Sequence, residues 1–495
     1  MLVWSNEERI LHFFTEFWDK KVNLSSHCIF GTKLIRIFTG SRNEDRENGG
    51  SCLPGKGSLV SGYEDHHPSP GDPGMNIAVV GAGYVGLVTG VCLSELGHLV
   101  KVVNRNPEKA AAINAGTSPI YEPGLDELLR KNIGQNLTAS TDYRWVGESD
   151  LSFICVGTPC HDDGSADLSM VEAAARSIGE SLAQTDRSHV VVVKSTVPPG
   201  TTEKVVMPIV RAHAGRSGIG FAMNPEFLRE GRAVEDFFHP DRIVIGSDDE
   251  SSLNRVASAY QRIDAPLFRT SLPAAEMIKY ASNAFLATKI SYANEIGNIC
   301  KHLGIDVYEV MQGVGMDHRI SPYFLNAGAG FGGSCFPKDV SALMHLAGTL
   351  DEDPCLLKAV MMVNDRQPLR MVAALEQRIG DLSGKHITVL GLAFKDNTDD
   401  IRDSRAIPVL QELLVKGARV TAYDPLAIPG MRELFPDVTY ALSAGEALAG
   451  ADACLVMTEW PEFSRLSSEF DHMKTRVIIE GRRVLSCSGK EGICW

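Results

Sequence analysis

The stretch MNIAVVGAGYVGLVTGVCLSELGHLVKVVN, residues 75–104, decides the fold. It begins with a short apolar run, continues through the glycine-rich turn GAGYVG and an apolar helical stretch, and ends in a second short apolar run. This order predicts a strand, a turn, a helix and a second strand parallel to the first, which together form a βαβ unit. Ligands of such units bind at the carboxyl ends of the strands.

Three glycines in the turn, Gly81, Gly83 and Gly86, give the pattern G-x-G-x-x-G directly between the predicted strand and helix. In this context Gly81 makes the tight turn, Gly83 lets the backbone approach a pyrophosphate, and Gly86 lets the helix pack on the strand. The N-terminus of the helix then faces the phosphates. The pattern predicts a dinucleotide site; the alternative is a tight turn that binds nothing.

The residue that would select the dinucleotide departs from the usual pattern. An acidic side chain is expected about 20 residues after the glycines, where it binds the ribose hydroxyls. This chain has Asn104 there, followed by Arg105. Asn104 can bond a hydroxyl group but does not repel a 2′-phosphate, and Arg105 attracts one. We expect NAD as the cofactor, with NADP as the alternative.

Strands and helices continue to alternate along the chain. Apolar runs at 151–157 and 189–196 extend the first sheet to about residue 265. An apolar pattern with a helical period then predicts a long helix between two domains, which we call the spine helix. Its positions are 277, 281, 284, 285, 288, 292, 296 and 299. Candidate strands of a second sheet follow at 386–395, 419–425, 453–458 and 476–481, with a candidate helix at 404–416.

These patterns predict an α/β protein in which two Rossmann-like doubly wound parallel sheets are joined by the spine helix and a helical middle domain. The predicted units are a disordered N-terminal extension (1–74), a dinucleotide-binding domain (75–265), a central helical domain with a candidate catalytic cysteine, Cys335, described below (270–380), a second Rossmann-like domain (385–485) and a tail (486–495). A chain of 495 residues is too long for one hydrophobic core, which agrees with this division.

Residues 1–74 differ from the rest of the chain. An amphipathic pattern from Ile10 to Trp18 leads into a stretch rich in glycine, serine and proline, from Ser41 to Gly74. We expect a disordered extension. Because Met75 directly precedes the first strand, a second interpretation is that the working protein starts at Met75.

The composition excludes several classes of protein. Its 44% apolar and 22% charged residues are typical of a globular protein. A formal charge of −14 argues against nucleic acid as a partner, because phosphate binding needs clustered Lys and Arg. The 11 cysteines form no CxxC pair or metal-ligand spacing, so we expect reduced thiols and no metal. With neither an apolar run of about 20 residues nor a signal peptide, we expect a cytoplasmic protein that does not enter the membrane.

The segment GFGGSCFPKD, residues 330–339, carries the strongest local signal for chemistry. Ser334 fits an N-cap, and a proline follows within the first helical turn, which predicts Cys335 at a helix N-terminus. The helix dipole and Lys338 then favour the thiolate, the nucleophilic form of cysteine. Asp339 falls on the same helical face one turn later. The alternative is a buried structural cysteine.

Two further pairs of polar residues are candidates for the same site. Lys279 and Asn283 are four residues apart on the spine helix, so they project from one face, which is turned either into a cleft or to solvent. Glu226 and Glu230, in NPEFLREG (224–231), follow a predicted strand end. A general base, a cofactor contact or a helix cap is expected there.

Together these motifs resemble the UDP-glucose/GDP-mannose dehydrogenase family from Met75 to about Leu485. The matching segments are GAGYVG (81–86), YEPGLDELL (121–129), FICVGTP (153–159), KSTVPPGTT (194–202), NPEFLREG (224–231), AEMIKYASNAFLATKIS (275–291), GVGMDHRI (313–320), FGGSCFPKD (331–339), GLAFKDNTDDIRDS (391–404) and EGRRVL (480–485). So many long matches in order exclude a chance similarity.

The resemblance implies an enzyme that oxidises carbon 6 of the glucose unit of UDP-glucose to the acid, with two hydride transfers to two NAD molecules. Cys335 gains the role of a nucleophile that holds the aldehyde as a thiohemiacetal and then as a thioester. Arg319 is similar to an arginine that reaches the sugar from a neighbouring subunit, which implies a homodimer or a larger homo-oligomer.

Other catalytic roles are implied in the same way. Lys279, Asn283 and Asp339 would position water and stabilise oxyanion character in the alcohol and hemiacetal steps. Glu226 would be the base for thioester hydrolysis, with Thr196 helping to hold the water.

The ligand-binding residues implied by the resemblance fall into two sets. Those for NAD are Gly81, Gly83, Tyr84, Val85, Gly86, Asn104, Arg105, Lys109, Val156, Gly157, Thr158, Pro159, Ser195, Thr196, Glu230, Lys338 and Arg402. Those for the UDP-sugar are Glu226, Phe227, Leu228, Arg229, Glu230, Lys279, Asn283, Arg319, Phe324, Leu325, Asn326, Gly330, Phe331, Gly332, Phe394, Lys395 and Arg482. Two basic side chains, Lys395 and Arg482, supply the positive pocket that the net charge of −14 does not otherwise provide.

Departures from the family pattern are Asn104, Glu480, where the family more often has Asp, and the sequence after Leu485. The closing EGICW resembles the GDP-mannose branch, whereas YEPGLDELL, VGMDHRI and EGRRVL resemble the UDP-glucose branch. FGGSCFPKD weighs against dehydrogenases of UDP-N-acetyl hexosamines. A binding protein without catalysis is disfavoured because all the catalytic candidates are present. Single-step oxidation of a small hydroxy acid would need neither Cys335 nor a second sheet.

Overall fold

The protein is described by a computed structural model that covers residues 74–495. The predicted extension over 1–74 therefore lies outside the described residues, except for Gly74. Two β-sheets flanked by helices are connected through one long helix and a group of shorter ones. The prediction of an α/β fold with two Rossmann-like sheets and a helical middle is confirmed.

The first sheet has eight strands, in the order β3-β2-β1-β4-β5-β6-β7-β8. They are β1 (Asn76–Val80), β2 (Leu99–Val103), β3 (Leu137–Ser140), β4 (Leu151–Ile154), β5 (His189–Val193), β6 (Ile219–Met223), β7 (Ile243–Gly246) and β8 (Leu267–Thr270). Strands β1 to β6 are parallel, and the central strands β1, β4 and β5 are almost wholly buried because helices cover both faces. The sheet extends to Thr270, past the predicted end at 265.

The expectation of a wholly parallel first sheet is wrong for its last two strands. β7 pairs antiparallel with β6 through Met223 and Gly246, and parallel with β8. A parallel β7 would require the chain to cross back to the amino end of β6. Met223 and Gly246 instead pair where both strands end, so residues 224–242 stay on the carboxyl side of the sheet.

Helices of this first domain lie between its strands. They are α1 (Tyr84–Glu95), α2 (Pro107–Asn114), α3 (Leu125–Asn132), α4 (Arg144–Gly147), α5 (Ser169–Leu182), a π-helical turn (Thr202–Val206), α6 (Met207–Ala214), α7 (Ala233–Phe238) and α8 (Glu250–Ser258). The core lies against the two faces of the sheet, in two clusters of buried apolar side chains.

The spine helix, α9, spans Leu272–Leu303. It has a proline in its first turn and ends at Gly304, whose φ of 68° lies in the left-handed region that favours glycine. The other central helices are α10 (Val307–Gly315), α11 (Phe336–Thr349) and α12 (Cys355–Ile379). The spine helix packs against α11 and α12, and its Asn283 meets Asp339 in the first turn of α11, next to Cys335.

The face that the spine helix buries consists mostly of small and polar residues, among them Lys279, Asn283, Ala287 and Asn294, although Leu272 and Tyr280 are also buried. Five large apolar residues lie on the opposite face and are exposed. We call this surface the spine stripe; it consists of Met277, Phe285, Tyr292, Ile299 and Leu303. Their spacing of seven or eight residues, with Leu303 one turn further, keeps them on one side of the helix.

The second sheet has six parallel strands, in the order β11-β10-β9-β12-β13-β14. They are β9 (His386–Leu390), β10 (Arg419–Tyr423), β11 (Thr439–Tyr440), β12 (Ala453–Val456), β13 (Ile478–Glu480) and β14 (Lys490–Gly492). The helices are α13 (Ala406–Val415), α14 (Ile428–Leu434) and α15 (Ala444–Leu448), with 3₁₀ turns at Pro461–Arg465 and Glu469–His472. A third apolar cluster fills this domain.

The chain end departs from the prediction of a tail over 486–495. Residues 490–492 form β14, the outermost strand of the second sheet, because β13 offers a free edge there. We call residues 490–495 the C-terminal latch. Its Cys494 is buried against Gly297 of the spine helix, where a side chain larger than hydrogen would collide with the cysteine Cβ. The indole of Trp495 packs edge-on against Tyr308, with 5.1 Å between ring centroids.

Among residues 74–495, none of the helices combines the length and the apolar character needed to cross a membrane.

Candidate active site

The predicted site residues come from strand ends of both sheets and from the central helices. Gly81 follows β1, Asn104 follows β2, and Ser195 lies just beyond β5, all at the carboxyl edge of the first sheet. The strand order reverses between β1 and β4, and a crevice forms at such a point in doubly wound sheets. This placement positions the glycine turn beside the segment that follows β4.

The glycine turn has the geometry that a dinucleotide requires. Gly81 has a φ of +111°, and a Cβ at Gly81 or Gly86 would overlap a backbone carbonyl oxygen. Nothing lies within 4 Å of the position that a Cβ would take at Gly83, so this residue leaves open space above the turn. No side chain caps the N-terminus of α1, which leaves its amide groups free for an anion.

Other predicted cofactor residues line the same edge. Thr158 Oγ1 donates to the carbonyl of Thr196 at 2.8 Å, and Ser195 Oγ donates to the carbonyl of Val156 at 2.7 Å, so two loops are joined by hydrogen bonds. Gly157 and Pro159 are exposed between them. Past β2, Asn104 is partly exposed, and Arg105 and Lys109 are exposed.

Tyr84 is turned away from the open side of the glycine turn. Its hydroxyl group bonds the carboxylate of Glu122, which also accepts from the N–H groups of Gly231 and Ala233 at 2.7 Å. Tyr84 therefore ties the turn to the loop after β6. Val85 is half-buried and packs on the core of the first domain.

Cys335 itself is the N-cap residue of α11, so the predicted helix N-terminus is present, but Ser334 as its N-cap is wrong. The Ser334 hydroxyl points elsewhere: its Oγ is 3.1 Å from Glu230 Oε1 and 3.6 Å from Cys335 Sγ. This happens because Ser334 lies one residue before the cap position, where its side chain cannot reach the first free N–H groups of the helix.

The expectation that Cys335 is held as a thiolate by the helix dipole and Lys338 is also wrong. Burial raises the pKa of the Cys335 thiol; the ammonium of Lys279 opposes this, while Glu226 and Asp339 add to it. The Lys338 ammonium pairs with Asp339, with its Nζ donating to Oδ1 at 2.5 Å, and it is not among the groups that shift the pKa of the thiol. The resting side chain is therefore a neutral thiol at pH 7.

Lys279 and Glu226 form a buried ion pair, with 2.9 Å between Nζ and Oε1. The alternative that Lys279 projects from the spine helix into solvent is therefore wrong, because its side chain is 4% exposed. Burial alone would raise the pKa of Glu226, but Lys279, the Leu228 N–H group at 2.6 Å and Lys194 outweigh it and lower the pKa. Glu226 is a carboxylate at neutral pH.

Asn283 and Asp339 are the second buried pair. Asn283 Nδ2 donates to Asp339 Oδ2 at 2.6 Å, and Lys338 takes the other carboxylate oxygen. Asp339 is 1% exposed and Asn283 is 5% exposed. The spine helix and α11 therefore meet through Asn283 and Asp339, which sets the distance between the lysine and the cysteine.

The predicted sugar-binding residues in the loop after β6 point in two directions. The Phe227 ring lies inward, with the Lys279 ammonium 5.5 Å from its centroid and the Arg242 guanidinium 4.0 Å from it. Leu228 packs on the first core. Arg229 turns outward to Asp236, at 2.6 Å, so it is not brought to the cysteine.

Glu230 lies beside residues of the second domain. The carboxylate is 3.5 Å from the Arg402 guanidinium, which also forms a bidentate pair with Asp400. Burial, followed by the nearby negative charge of Asp400, raises the pKa of Glu230 to about 7.

The predicted sugar loop, residues 324–332, packs between the spine helix and the second domain. Arg482 Nη2 donates to the carbonyl of Gly330 at 2.5 Å. Phe331 is held by the Asn364 side chain, which bonds both its N–H and its carbonyl group. The ring of Phe336 stacks edge-on against Phe331 and Phe324.

The remaining predicted sugar residues lie around this loop. Leu325 is buried, whereas Asn326 is exposed. Gly332 leaves no room for a side chain beside the backbone of Asp403. Lys395 Nζ lies 5.6 Å from the ring centroid of Phe394, and burial lowers the pKa of Lys395.

Arg319 is not brought to the cysteine of its own chain by any hydrogen bond in the described part. It is exposed, and its guanidinium pairs with Asp317 at 2.5 Å.

Sequence reasoning missed several buried residues that hold the loops of the site in place through hydrogen bonds. Glu276 accepts three hydrogen bonds from Gly200 and Thr202, and so fixes the loop that carries Thr196. Glu122 and Asn364 act similarly on other loops. A charged residue inside an apolar helical stretch signals Glu276 in the sequence. Nothing local signals Asn364, because its partner is 33 residues away.

Sequence comparison agrees with this architecture domain by domain. Models of the UDP-glucose/GDP-mannose dehydrogenase family match the NAD-binding domain at residues 75–264, the central domain at 273–366 and the UDP-binding domain at 388–487. The UDP-glucose 6-dehydrogenase AglM of Haloferax volcanii is 49% identical over 420 residues, which cover 83% of this chain and 97% of that protein. The UDP-glucose 6-dehydrogenase YwqF of Bacillus subtilis is 45% identical over 413 residues, covering 82% and 93%.

Solved structures give the same result. A UDP-glucose dehydrogenase from Pyrobaculum islandicum superimposes with a TM-score of 0.83 at 44% identity, covering 87% of this chain and 100% of that chain. A UDP-D-ManNAc dehydrogenase from Pyrococcus horikoshii has a TM-score of 0.75 at 29% identity, covering 85% and 99%. Matches to all three domains and identities above 40% over most of the chain lead to one conclusion: this chain belongs to the UDP-glucose/GDP-mannose dehydrogenase family.

Proposed function

We propose that this protein is an NAD-dependent UDP-glucose 6-dehydrogenase, which oxidises carbon 6 of UDP-glucose to give UDP-glucuronate through a covalent adduct on Cys335. The observation that carries the proposal is the cluster around the cysteine. The Lys279–Glu226 pair and the Asn283–Asp339 pair are both buried beside one partly exposed thiol. The similarity to UDP-glucose 6-dehydrogenases supports the choice of sugar.

Each member of the cluster has a state that suits its role. The Lys279 ammonium and the Asn283 amide group are donors, so they stabilise negative charge on the sugar oxygen. Asp339 orients Asn283. Glu226, ionised because of Lys279, takes a proton from the water that attacks the thioester, and Thr196 helps to hold that water.

The dinucleotide is proposed to bind across the glycine turn, with its phosphates at the N-terminus of α1 above Gly83. NAD supplies the acceptor for each hydride. Asn104 can bond the ribose hydroxyls, and Ser195, Thr158 and Glu230 are further residues proposed to contact the dinucleotide. Arg105 is exposed near Asn104, so NADP is the alternative that turnover measurements decide.

The UDP-sugar is proposed to bind between the loop at 324–332 and the second domain. Lys395 and Arg482 offer positive charge, and Phe394 an aromatic surface. The hydrogen bond from Arg482 to the carbonyl of Gly330 already orients the guanidinium before the UDP-sugar binds.

We further propose that the active unit is at least a homodimer. The spine stripe exposes large side chains, with Phe285 64% and Leu303 67% accessible, in one continuous row on a helix. A cavity of about 310 Å³ beside it, lined by Ile299, Met362 and Arg366 among others, offers room for side chains of a second copy. Arg319, exposed on its own chain, would then act across the interface.

The proposal is tested by counting reduced cofactor per sugar consumed. UDP-glucose and GDP-mannose are each offered with NAD and with NADP. We expect about two reduced cofactors per UDP-glucose, because the alcohol passes through the aldehyde to the acid without release. About one per sugar, with free aldehyde, would contradict the mechanism. A preference for GDP-mannose would indicate that the protein is a GDP-mannose dehydrogenase instead.

The Cys335→Ala variant separates chemistry from binding. It should form no acid while binding UDP-glucose nearly as well as the wild type, as measured by calorimetry, because the thiol is needed only once the aldehyde exists. Loss of binding in this variant would indicate a structural cysteine.

A further inference from the structure

The Cys335 thiol must lose a proton before it can attack, and within residues 74–495 no hydrogen bond links its sulfur to Lys279, Glu226 or Asp339. This inference rests on the proposed function, in which the sulfur adds to an aldehyde. Lys279 is charged and paired with Glu226, and Asp339 is engaged by Lys338 and Asn283. Burial raises the pKa of the thiol, so spontaneous ionisation at pH 7 is disfavoured.

Ser334 lies between the thiol and the carboxylate that faces it. Within residues 74–495 its hydroxyl is the one hydrogen-bond partner of the Cys335 sulfur, at 3.6 Å, and it also lies 3.1 Å from Glu230 Oε1. A hydroxyl group can accept one hydrogen bond while it donates another. The geometry therefore permits a continuous path from S–H to O–H to carboxylate.

Glu230 is suited to receive that proton. The charged groups that face it are Asp400 and Arg402 from one loop, with Lys395 and the Tyr84 hydroxyl further around it. Burial and Asp400 raise the pKa of Glu230 to about 7, which is near the pH at which a general base works best.

We propose that Ser334 and Glu230 form a proton relay that deprotonates Cys335 as it attacks the aldehyde. The thiol S–H bond breaks and its proton passes to the Ser334 oxygen. The Ser334 proton moves to the Glu230 carboxylate. The C–S bond forms, and the carbonyl oxygen becomes an alkoxide beside Lys279. Charge is conserved, because one carboxylate is neutralised as one alkoxide appears.

The relay is tested in the free full-length enzyme, without substrate, by the rate of Cys335 alkylation with iodoacetamide between pH 6 and 10. Peptide mass spectrometry follows the peptide that contains Cys335, and Cys335→Ala assigns it. The wild type should give two inflections, one near pH 7 from Glu230 and one above pH 9 from the thiol itself. Ser334→Ala should lower the rate at pH 8 roughly tenfold or more and lose the first inflection. Ser334→Thr, which retains the hydroxyl group, should restore it.

Glu230→Gln distinguishes a relay from a simple charge effect, and it serves if Ser334→Ala does not fold. Removing a nearby negative charge would by itself ease ionisation of the thiol and speed alkylation. The relay instead requires slower alkylation at pH 8 and a single inflection above pH 9. Faster alkylation in Glu230→Gln, or an unchanged profile in Ser334→Ala, would overturn the relay. Neither result depends on the identity of the sugar, which the cofactor count tests separately.

Discussion

Lys279 and Glu226 illustrate at the scale of single residues how a charged pair survives burial. Removing water from two charges costs several kcal/mol for each, and a close opposite charge compensates only while both partners are present. Glu226 has a lowered pKa, so its stabilisation is present above its usual 4.5 and is lost as the pH falls through the folded value. Lys279 has a raised pKa, so its stabilisation is present below its usual 10.5 and is lost as the pH rises through the folded value.

We therefore predict that Lys279→Met lowers the free energy of unfolding by about 3–5 kcal/mol at pH 8. The loss should be smaller at pH 5. Without the lysine, burial raises the pKa of Glu226, so the folded protein then prefers the protonated acid. Thermal melting of the variant at the two pH values measures this.

The double variant Lys279→Met/Glu226→Gln is the matched control. It should recover most of the stability at pH 8, because no unpaired charge remains buried, although activity stays lost. If the double variant is as unstable as the single one, the cost arises from packing and not from charge.

Single residues were predictable where a motif encodes local geometry and not where the state depends on distant groups. GFGGSCFPKD placed Cys335 at a helix start without any structure. Its protonation was predicted wrongly, because burial raises the pKa of the thiol, and because the charges that act on it, Glu226 and Lys279, come from segments 109 and 56 residues away. The use of the Ser334 hydroxyl also depends on Glu230, which is distant in sequence.

At the scale of one element, the spine helix has two different faces: one is buried beside the candidate active site, and the other is exposed. The side toward the site carries small and polar residues, and the other side carries the spine stripe. The apolar period predicted the helix, but it did not predict which face is buried. An apolar period shows that apolar and polar side chains lie on different faces of a helix. Which face is buried depends on the neighbours that the helix packs against in the folded protein.

We predict that Phe285→Lys, on the spine stripe, shifts the protein from a dimer or larger oligomer to a monomer. A buried lysine without a partner opposes association, and a cost of about 2–4 kcal/mol weakens the dimer about 30- to 1,000-fold. Light scattering after size exclusion measures the mass. Activity should fall together with the mass, since Arg319 would lose its partner's site.

The matched control for this change is Val415→Lys, on an exposed apolar residue at the end of α13. It should leave the oligomer unchanged. A monomeric wild type, or an oligomer that persists in Phe285→Lys, would remove the spine stripe as the interface.

At the scale of the whole molecule, two departures from the family pattern compensate each other. Glu480 is fully buried at the end of β13, accepts from the N–H groups of Val484 and Leu485, and pairs with Lys490 at 3.0 Å. Lys490 belongs to the C-terminal latch, beyond the family match that ends at 487. The sequence marks both departures, but only the paired strands β13 and β14 reveal that one balances the other.

The C-terminal latch also connects the second domain to residues 324–332, the proposed sugar loop. Glu491 pairs with Lys301 of the spine helix at 2.8 Å, and the Tyr308 ring that contacts Trp495 donates its hydroxyl group to Ala327 at 2.8 Å. We predict that Trp495→Ala lowers the free energy of unfolding by roughly 2 kcal/mol, less than for a fully buried tryptophan, and raises KM for the sugar more than it lowers kcat.

Trp495→Phe is the control for this variant, because it keeps the aromatic contact with Tyr308 and should retain most of the stability and the wild-type KM. Thermal melting and steady-state kinetics measure both quantities. Equal KM values in Trp495→Ala and the wild type would show that the latch does not reach the sugar loop.

The latch has a practical consequence for handling the protein. Lys301 Nζ donates to the carbonyl of Trp495 at 2.9 Å, and Gly492 lies directly beneath the indole. Any residues joined after Trp495, such as an affinity tag or a fluorescent fusion, would start inside this packing and compete with it.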